Sequence, residues 1–296
     1  MDGVERITPD RFARFAAIDW SGAVGERQRG IAVALCGRGS VAPALVRPGH
    51  RWSRADVLGW LLDELQPDTL VGLDLGTALP FLDRGAYFPG WSESPAHARA
   101  LWALVERVAV DDPHLGANRF VDHPDASRHF RRPGGRTGDL FQPGAGRMRE
   151  AEHAQRAAGF HPVSNLNLVG AAQVGKSSLT GMRVLHRLAG HLPVWPFDPL
   201  PATGSVVIEI YTTIAARAAG VRPGRSKLRD RAALDAALAA LGSAAHAPLP
   251  ALDDHQADAL IAAAWLRTVS ARDELWHPAR LTDAVALTEG WTFGIT

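Results

Sequence analysis

The sequence predicts an α/β fold: three antiparallel strands, a helix, further buried strands and a C-terminal helix. Three observations carry this. Strand-length apolar runs bounded by Gly- and Pro-containing turns open the chain, apolar residues then recur at helical spacing, and acids sit inside or at the ends of the apolar runs. At 296 residues, 46% hydrophobic and 21% charged, the chain can bury a sizeable core and has the composition of an ordinary globular domain.

RFARFAAIDWSG carries the short apolar core FAAI and ends it on Asp19; GIAVALCG and APALVRPG follow after polar turns, the pattern of an antiparallel meander. Ser53 is a candidate helix N-cap, Val57, Leu58, Leu61, Leu62 and Leu65 repeat at helical spacing, and Pro67 stops the helix. TLVGLDLG is a near-continuous apolar run carrying Asp74 and reads as a buried strand. Ser94 to Val110 reads as a helix with Leu101, Leu104, Val105 and Val108 on one face. A short strand at Asn165–Val169, a helix over Leu179–Leu188, an extended LPVWPF, a buried strand in SVVIEIYT and an Ala-rich helix over Ala232–Leu241 come next. Asp253 to Val269 is a strong helix with acids in its first turn, and GWTFGI is an edge strand or core plug.

From about 111 to 165 the periodicity breaks down and Gly, Pro, His and Arg crowd together, so the chain reads as one domain over 1–296 with an insertion there. Within it Arg128, Arg131, Arg132, Arg136, Arg147 and Arg149 lie close to Phe130 and Phe141. Guanidinium forks suit phosphate and aromatic rings stack on bases, which makes the insertion a candidate nucleic-acid grip; the plain alternative is a solvated loop. The net charge of +1 gives no global field toward nucleic acid or membrane. The single cysteine, Cys36, excludes an internal disulfide and sits in an apolar run as a core residue. No targeting segment or membrane-length apolar run is visible, so the expectation is a cytoplasmic protein with no membrane partner; the oligomeric state stays open.

The acids are the chemistry-bearing residues. Asp19 closes an apolar run, Asp74 is flanked by leucines, and Glu209 lies between Ile208 and Ile210; Asp254 and Asp258, four apart, share a helix face. Carboxylates in apolar surroundings need partners, and a divalent cation with oxygen ligands is a natural one. Asp254 also reads as a first-turn helix acid, Glu209 as the partner of an arginine, and His255 as a solvated histidine rather than a general base. GAAQVGKS at 170–177 fits the phosphate-loop pattern, but no acidic partner strand follows it, so it is expected to bind no nucleotide.

AIDWSG, GLDLGTALP, QVGKSSLTG, VWPF, VVIEIY, DDHQADALIAAAW and EGWTFG run in order along the chain. This set resembles the domain of unknown function 429 family, described as predicted RNase H-like nucleases, and the element order is similar to the fold shared by ribonuclease H, RuvC-type resolvases and transposases. The resemblance implies an RNase H-like core and a divalent-metal-dependent nuclease. Asp19, Asp74, Asp254 and Asp258 would hold Mg²⁺ or Mn²⁺, and Glu209 would complete the catalytic set. It also absorbs Val174, Gly175, Ser178 and Gly181 into a family segment. Gly76 and Thr212 depart from it, standing where prolines are common. Two other classes stay open: an actin-like ATPase or kinase, since DLGT at Asp74 is similar to the phosphate loop of that group, and a non-catalytic nucleic-acid-binding scaffold.

Overall fold

A computed structural model describes residues 8, 10–170, 174–221, 230–247 and 252–296. The chain forms a mixed α/β structure around a six-stranded sheet in the order β3-β2-β1-β4-β6-β5. The strands are β1 (Arg14–Asp19), β2 (Ala32–Gly37), β3 (Ala44–Leu45), β4 (Thr69–Asp74), β5 (Val194–Trp195) and β6 (Val206–Glu209). β1 to β3 form the expected antiparallel meander, β4 pairs parallel to β1, and β6 pairs parallel to both β4 and β5.

Helices cover both faces. Up to residue 170 they are α1 (Arg54–Gly59), continued by a π-type stretch at Trp60–Glu64, then α2 (Ala98–Val108), α3 (Asn118–Val121) and α4 (Glu150–Ala157). Beyond it come α5 (Val174–Leu188), α6 (Thr212–Ala218), α7 (Arg231–Ala240), α8 (Asp254–Val269), α9 (Asp273–Trp276) and α10 (Asp283–Thr288). Ser53 and Asp56 close a capping box on α1, and Asp253 and Gln256 close one on α8. Among the described residues no helix is long and apolar enough to cross a membrane.

Alternation along the strands separates two cores. Ala16 and Ile18 of β1, Val71 and Leu73 of β4 and Val207 of β6 face α1, α2 and α5. Phe15 and Ala17, Leu70, and Val206 and Ile208 face α6, α7 and α8. Helix α8 lies across β1 and β2 and touches α6 and α7 as well, which is why it is apolar nearly all round. Its buried Ala257, Ala259, Ala262, Ala263 and Ala264 let it approach the sheet closely. Gly72 in β4 serves the same approach, because a Cβ there would stand 2.8 Å from Ile210 Cγ2 and 3.0 Å from Leu266 Cδ1.

Two expectations are corrected and one alternative is decided. Asn165–Val169 is no strand; only Asn167 makes an isolated bridge, to Arg131. Without a strand before it, the GAAQVGKS segment lacks the setting of a phosphate loop. Ala171 to Gln173 fall outside the described residues, and Val174 onward is the start of α5. The stretch 111–165 is also packed rather than loose: it holds α3 and α4, and Phe120 and Phe130 are fully buried beside Phe88. Finally, GWTFGI plugs the core, with Trp291 and Phe293 fully buried and Thr292 bridging to Glu209.

Gly72→Ala should destabilise the fold by about 1–3 kcal/mol, since Ile210 and Leu266 must shift to admit a methyl group. Urea unfolding measures this directly; an unchanged midpoint would mean that α8 is not held at that distance.

Candidate active site

Two adjacent parallel strands bring two carboxylates to the same place. Asp19 and Asp74 are register partners at the C-terminal ends of β1 and β4, and parallel neighbours in register point to the same face, roughly 5 Å apart at the backbone. That face is the one α8 covers. Asp258, in the second turn of α8, joins them, and all three line a cavity of about 510 Å³ together with His255. Open α/β sheets commonly bind ligands at this end of the strands.

The electrostatics follow from that crowding. Burial and then the negative field of Asp19 push Asp74 up to about 7, although Thr212 opposes this by donating its backbone N–H to Oδ1 and its hydroxyl to Oδ2, both at 3.1 Å. Burial, Asp19 and Asp74 together push Asp258 up to about 8. Asp19 is 6% exposed and is raised by burial, against a 3.0 Å hydrogen bond between its Oδ2 and Nδ1 of His255. The same bond raises His255 to about 8. His255 is therefore not the freely solvated side chain expected: it is half-exposed and tied to Asp19.

Thr212 and Gly76 each have a local role. A proline at 212 would remove the N–H that Asp74 accepts. Any side chain at 76 would collide with Asn165, whose Nδ2 lies 2.2 Å from a Cβ built there and which anchors the Ala78 carbonyl.

Of the two readings of Glu209, the structure shows the arginine partner. It pairs in register with Leu73, one residue short of Asp74, so its side chain projects to the opposite face of the sheet from the aspartates. There its oxygens accept from Arg149 Nη1 at 2.8 Å and Nη2 at 2.6 Å, from Thr77 N at 2.7 Å and Oγ1 at 2.8 Å, and from Thr292 Oγ1 at 2.5 Å. Arg149 is 1% exposed and also binds Glu152. Burial alone would lower the guanidinium, but Glu152 and Glu209 outweigh it and hold it well above its ordinary value. Glu209 is thus a structural anchor at the cavity wall. Asp254 lines the neighbouring groove rather than the cavity and reaches Asp258 through its negative field.

Of the expected arginine grip, the buried members are not available to a ligand. Arg147 and Arg149 are buried, Arg147 with Asp83 and the Pro80, Ala86 and Tyr87 carbonyls. Arg128 pairs with Asp139, and Arg132 and Arg136 pair with Asp122. Arg131 is the exception, exposed and with no ion pair among the described residues. Phe130 and Phe141 are buried and cannot stack on a base. The cations beside the cavity that make no ion pair among the described residues are instead Lys176, Arg54, Arg29 and Arg51. Nothing in the sequence distinguished them, because their freedom depends on which acids the fold places elsewhere.

Among the described residues no three His, Cys, Asp or Glu side chains stand in an arrangement that would hold a metal ion. Asp19 is turned to His255, and both oxygens of Asp74 are turned to Thr212. No protein-family model, curated protein or solved structure matches the chain.

Two predictions follow from these charges. The folded state holds protons on Asp74 and Asp258 up to about 7 and 8, whereas carboxyls at the ordinary value of 3.8 release them far earlier. The folded state then binds more protons across that window, so the metal-free protein loses stability as pH rises through it. Asp258→Asn should raise Tm at pH 8 by about 2–6 °C, a relief of order 1–2 kcal/mol; a lower Tm by calorimetry would contradict the repulsion. Arg149→Met, which strands two buried carboxylates, should cost about 3–5 kcal/mol in denaturant unfolding. Adding Glu209→Gln should recover part of that loss, and no recovery would remove Glu209 from the pairing.

Proposed function

We propose that this chain is a divalent-metal-dependent phosphodiesterase with an RNase H-like fold, acting on nucleic acid. The observation that carries the reading is the in-register pair Asp19 and Asp74 with Asp258 beside them, three carboxylates kept in one cavity despite mutual repulsion. Proteins tolerate such crowding at functional sites, where perturbed carboxylates cluster. The antiparallel meander, the parallel β4 and β6 and the helix α8 across β1 and β2 support the fold assignment.

The donor set fits a hard divalent cation, since all three groups offer carboxylate oxygens and carry charge that needs neutralising. Asp19, Asp74 and Asp258 would hold it once Asp19 turns from His255 and Asp74 from Thr212. A cation there supplies the positive charge that lets a phosphodiester approach an anionic site and activates the attacking water. In the hydrolysis itself, water adds its oxygen to phosphorus, the P–O ester bond breaks, and the leaving oxygen takes a proton. His255, at the cavity beside the three acids and freed when Asp19 turns to the cation, is the imidazole there that would hold and release a proton in the neutral range. Arg29 and Arg51, in the groove that His255 shares with the cavity, are exposed and suit backbone phosphates.

With Mg²⁺ or Mn²⁺, the purified protein should cleave single-stranded or structured DNA or RNA, and chelator should stop it. Asp74→Asn should lower kcat at least about 100-fold without lowering Tm. A panel of substrates left intact with both metals, at high protein concentration, would replace this reading with a non-catalytic one.

A further inference from the structure

A second cavity, of about 280 Å³, adjoins the first across the loop that follows β1; Gly22 and Ala23 line both. Its wall holds Arg54, His114 and Lys176 and no aspartate or glutamate. Arg54 is 2% exposed, and its guanidinium donates only to backbone carbonyls: Ser21, Ala23 and His114. Among the described residues no carboxylate pairs with it. Burial and then the neighbouring Arg183, itself matched by Glu106, push Arg54 down to about 10, and no acid pulls it back. A buried cation without a counter-ion is costly unless an anion arrives to answer it.

Lys176 supplies the second charge. It sits half-buried in the first turn of α5, its side chain makes no hydrogen bond or ion pair among the described residues, and it lines the cavity opposite the loop. Its distance from the carboxylates is fixed by Gly22. A Cβ at that position would lie 2.4 Å from Ser177 N and 2.6 Å from Lys176 Cβ, so the loop carrying the chain away from Asp19 is pressed against the turn carrying Lys176. Three acids in one cavity and two unanswered cations in the next are therefore held side by side.

We propose that this second cavity takes the terminal phosphate monoester of the substrate, with Lys176 contacting its oxygens and Arg54 acting through its charge. A monoester carries close to two negative charges at neutral pH and a diester only one, so two cations with no acid between them match a chain end better than a chain interior. The identity of the larger molecule rests on the phosphodiesterase reading; the anion pocket does not.

The test uses calorimetric titration of the metal-free protein with a thymidine dinucleotide bearing a 5′-phosphate, with the same dinucleotide bearing a 5′-hydroxyl, and with inorganic phosphate. The phosphorylated dinucleotide should bind at least about tenfold tighter than the hydroxyl form, about 1.4 kcal/mol. Lys176→Met should erase the difference and Asp74→Asn should keep it. The Lys176 ammonium has no hydrogen bond or ion pair among the described residues, so Lys176→Met removes the charge and keeps the side chain's length. Equal affinity of the two dinucleotides, or a difference that survives Lys176→Met, overturns the proposal. So does binding of inorganic phosphate by a protein that ignores both dinucleotides. If the difference holds while no nucleic acid is cleaved with Mn²⁺, the pocket stands and the phosphodiesterase reading falls. If cleavage occurs and the dinucleotides bind alike, only the pocket falls.

Discussion

Asp19 and Asp74 are bound to the same level of neighbouring strands by a ladder of backbone hydrogen bonds that runs from Arg14 and Thr69 to the two acids themselves. A slip of one residue would turn every core side chain of a strand to the wrong face, so the register is held by the whole apolar content of β1 and β4. Repulsion between the two carboxylates is small against that. The sheet forces the acids together, and the charge must be managed locally by protons, by His255 and by Thr212. In the function proposed, this strand end is where a cation would relieve the charge.

The opposite face of the same strand ends is managed differently. Glu209 is directed away from the aspartates and meets Arg149, Thr77 and Thr292, which tie together β6, the loop after β4, α4 and the C-terminal plug. Both oxygens of Glu209 are answered there, and the network is buried. On the α8 face, Asp258 has no cationic partner among the described residues beyond the field of His255. The two acid clusters therefore have opposite characters: Glu209 is matched by a guanidinium, whereas Asp19 and Asp74 are hydrogen-bonded but the three aspartates crowd one another's charge.

Much of this was legible in the sequence. The meander, the buried strand at Asp74, the helix over Asp253–Val269 and the candidate acids Asp19, Asp74 and Asp258 follow from apolar periodicity interrupted by charge, which is local information. Glu209 looked alike because an acid between two isoleucines carries no mark of which face it points to; that depends on its register with Leu73. The insertion arginines looked like a grip because their partners Asp83, Asp122, Asp139 and Glu209 are brought to them only by folding. His255 looked idle for the same reason, since Asp19 lies far away along the chain. Periodicity reports burial well, whereas pairing between distant charges is a tertiary property.

The central claim is that the crowded aspartates exist to receive a divalent cation. A crystal soaked in Mn²⁺ and measured at an anomalous wavelength tests it most directly. A peak bridging Asp19, Asp74 and Asp258 at ligand distances of about 2 Å, with Asp19 released from His255, is the result expected. A map without that peak, in which Asp19 stays on His255 and Asp74 on Thr212 at saturating Mn²⁺, would contradict it.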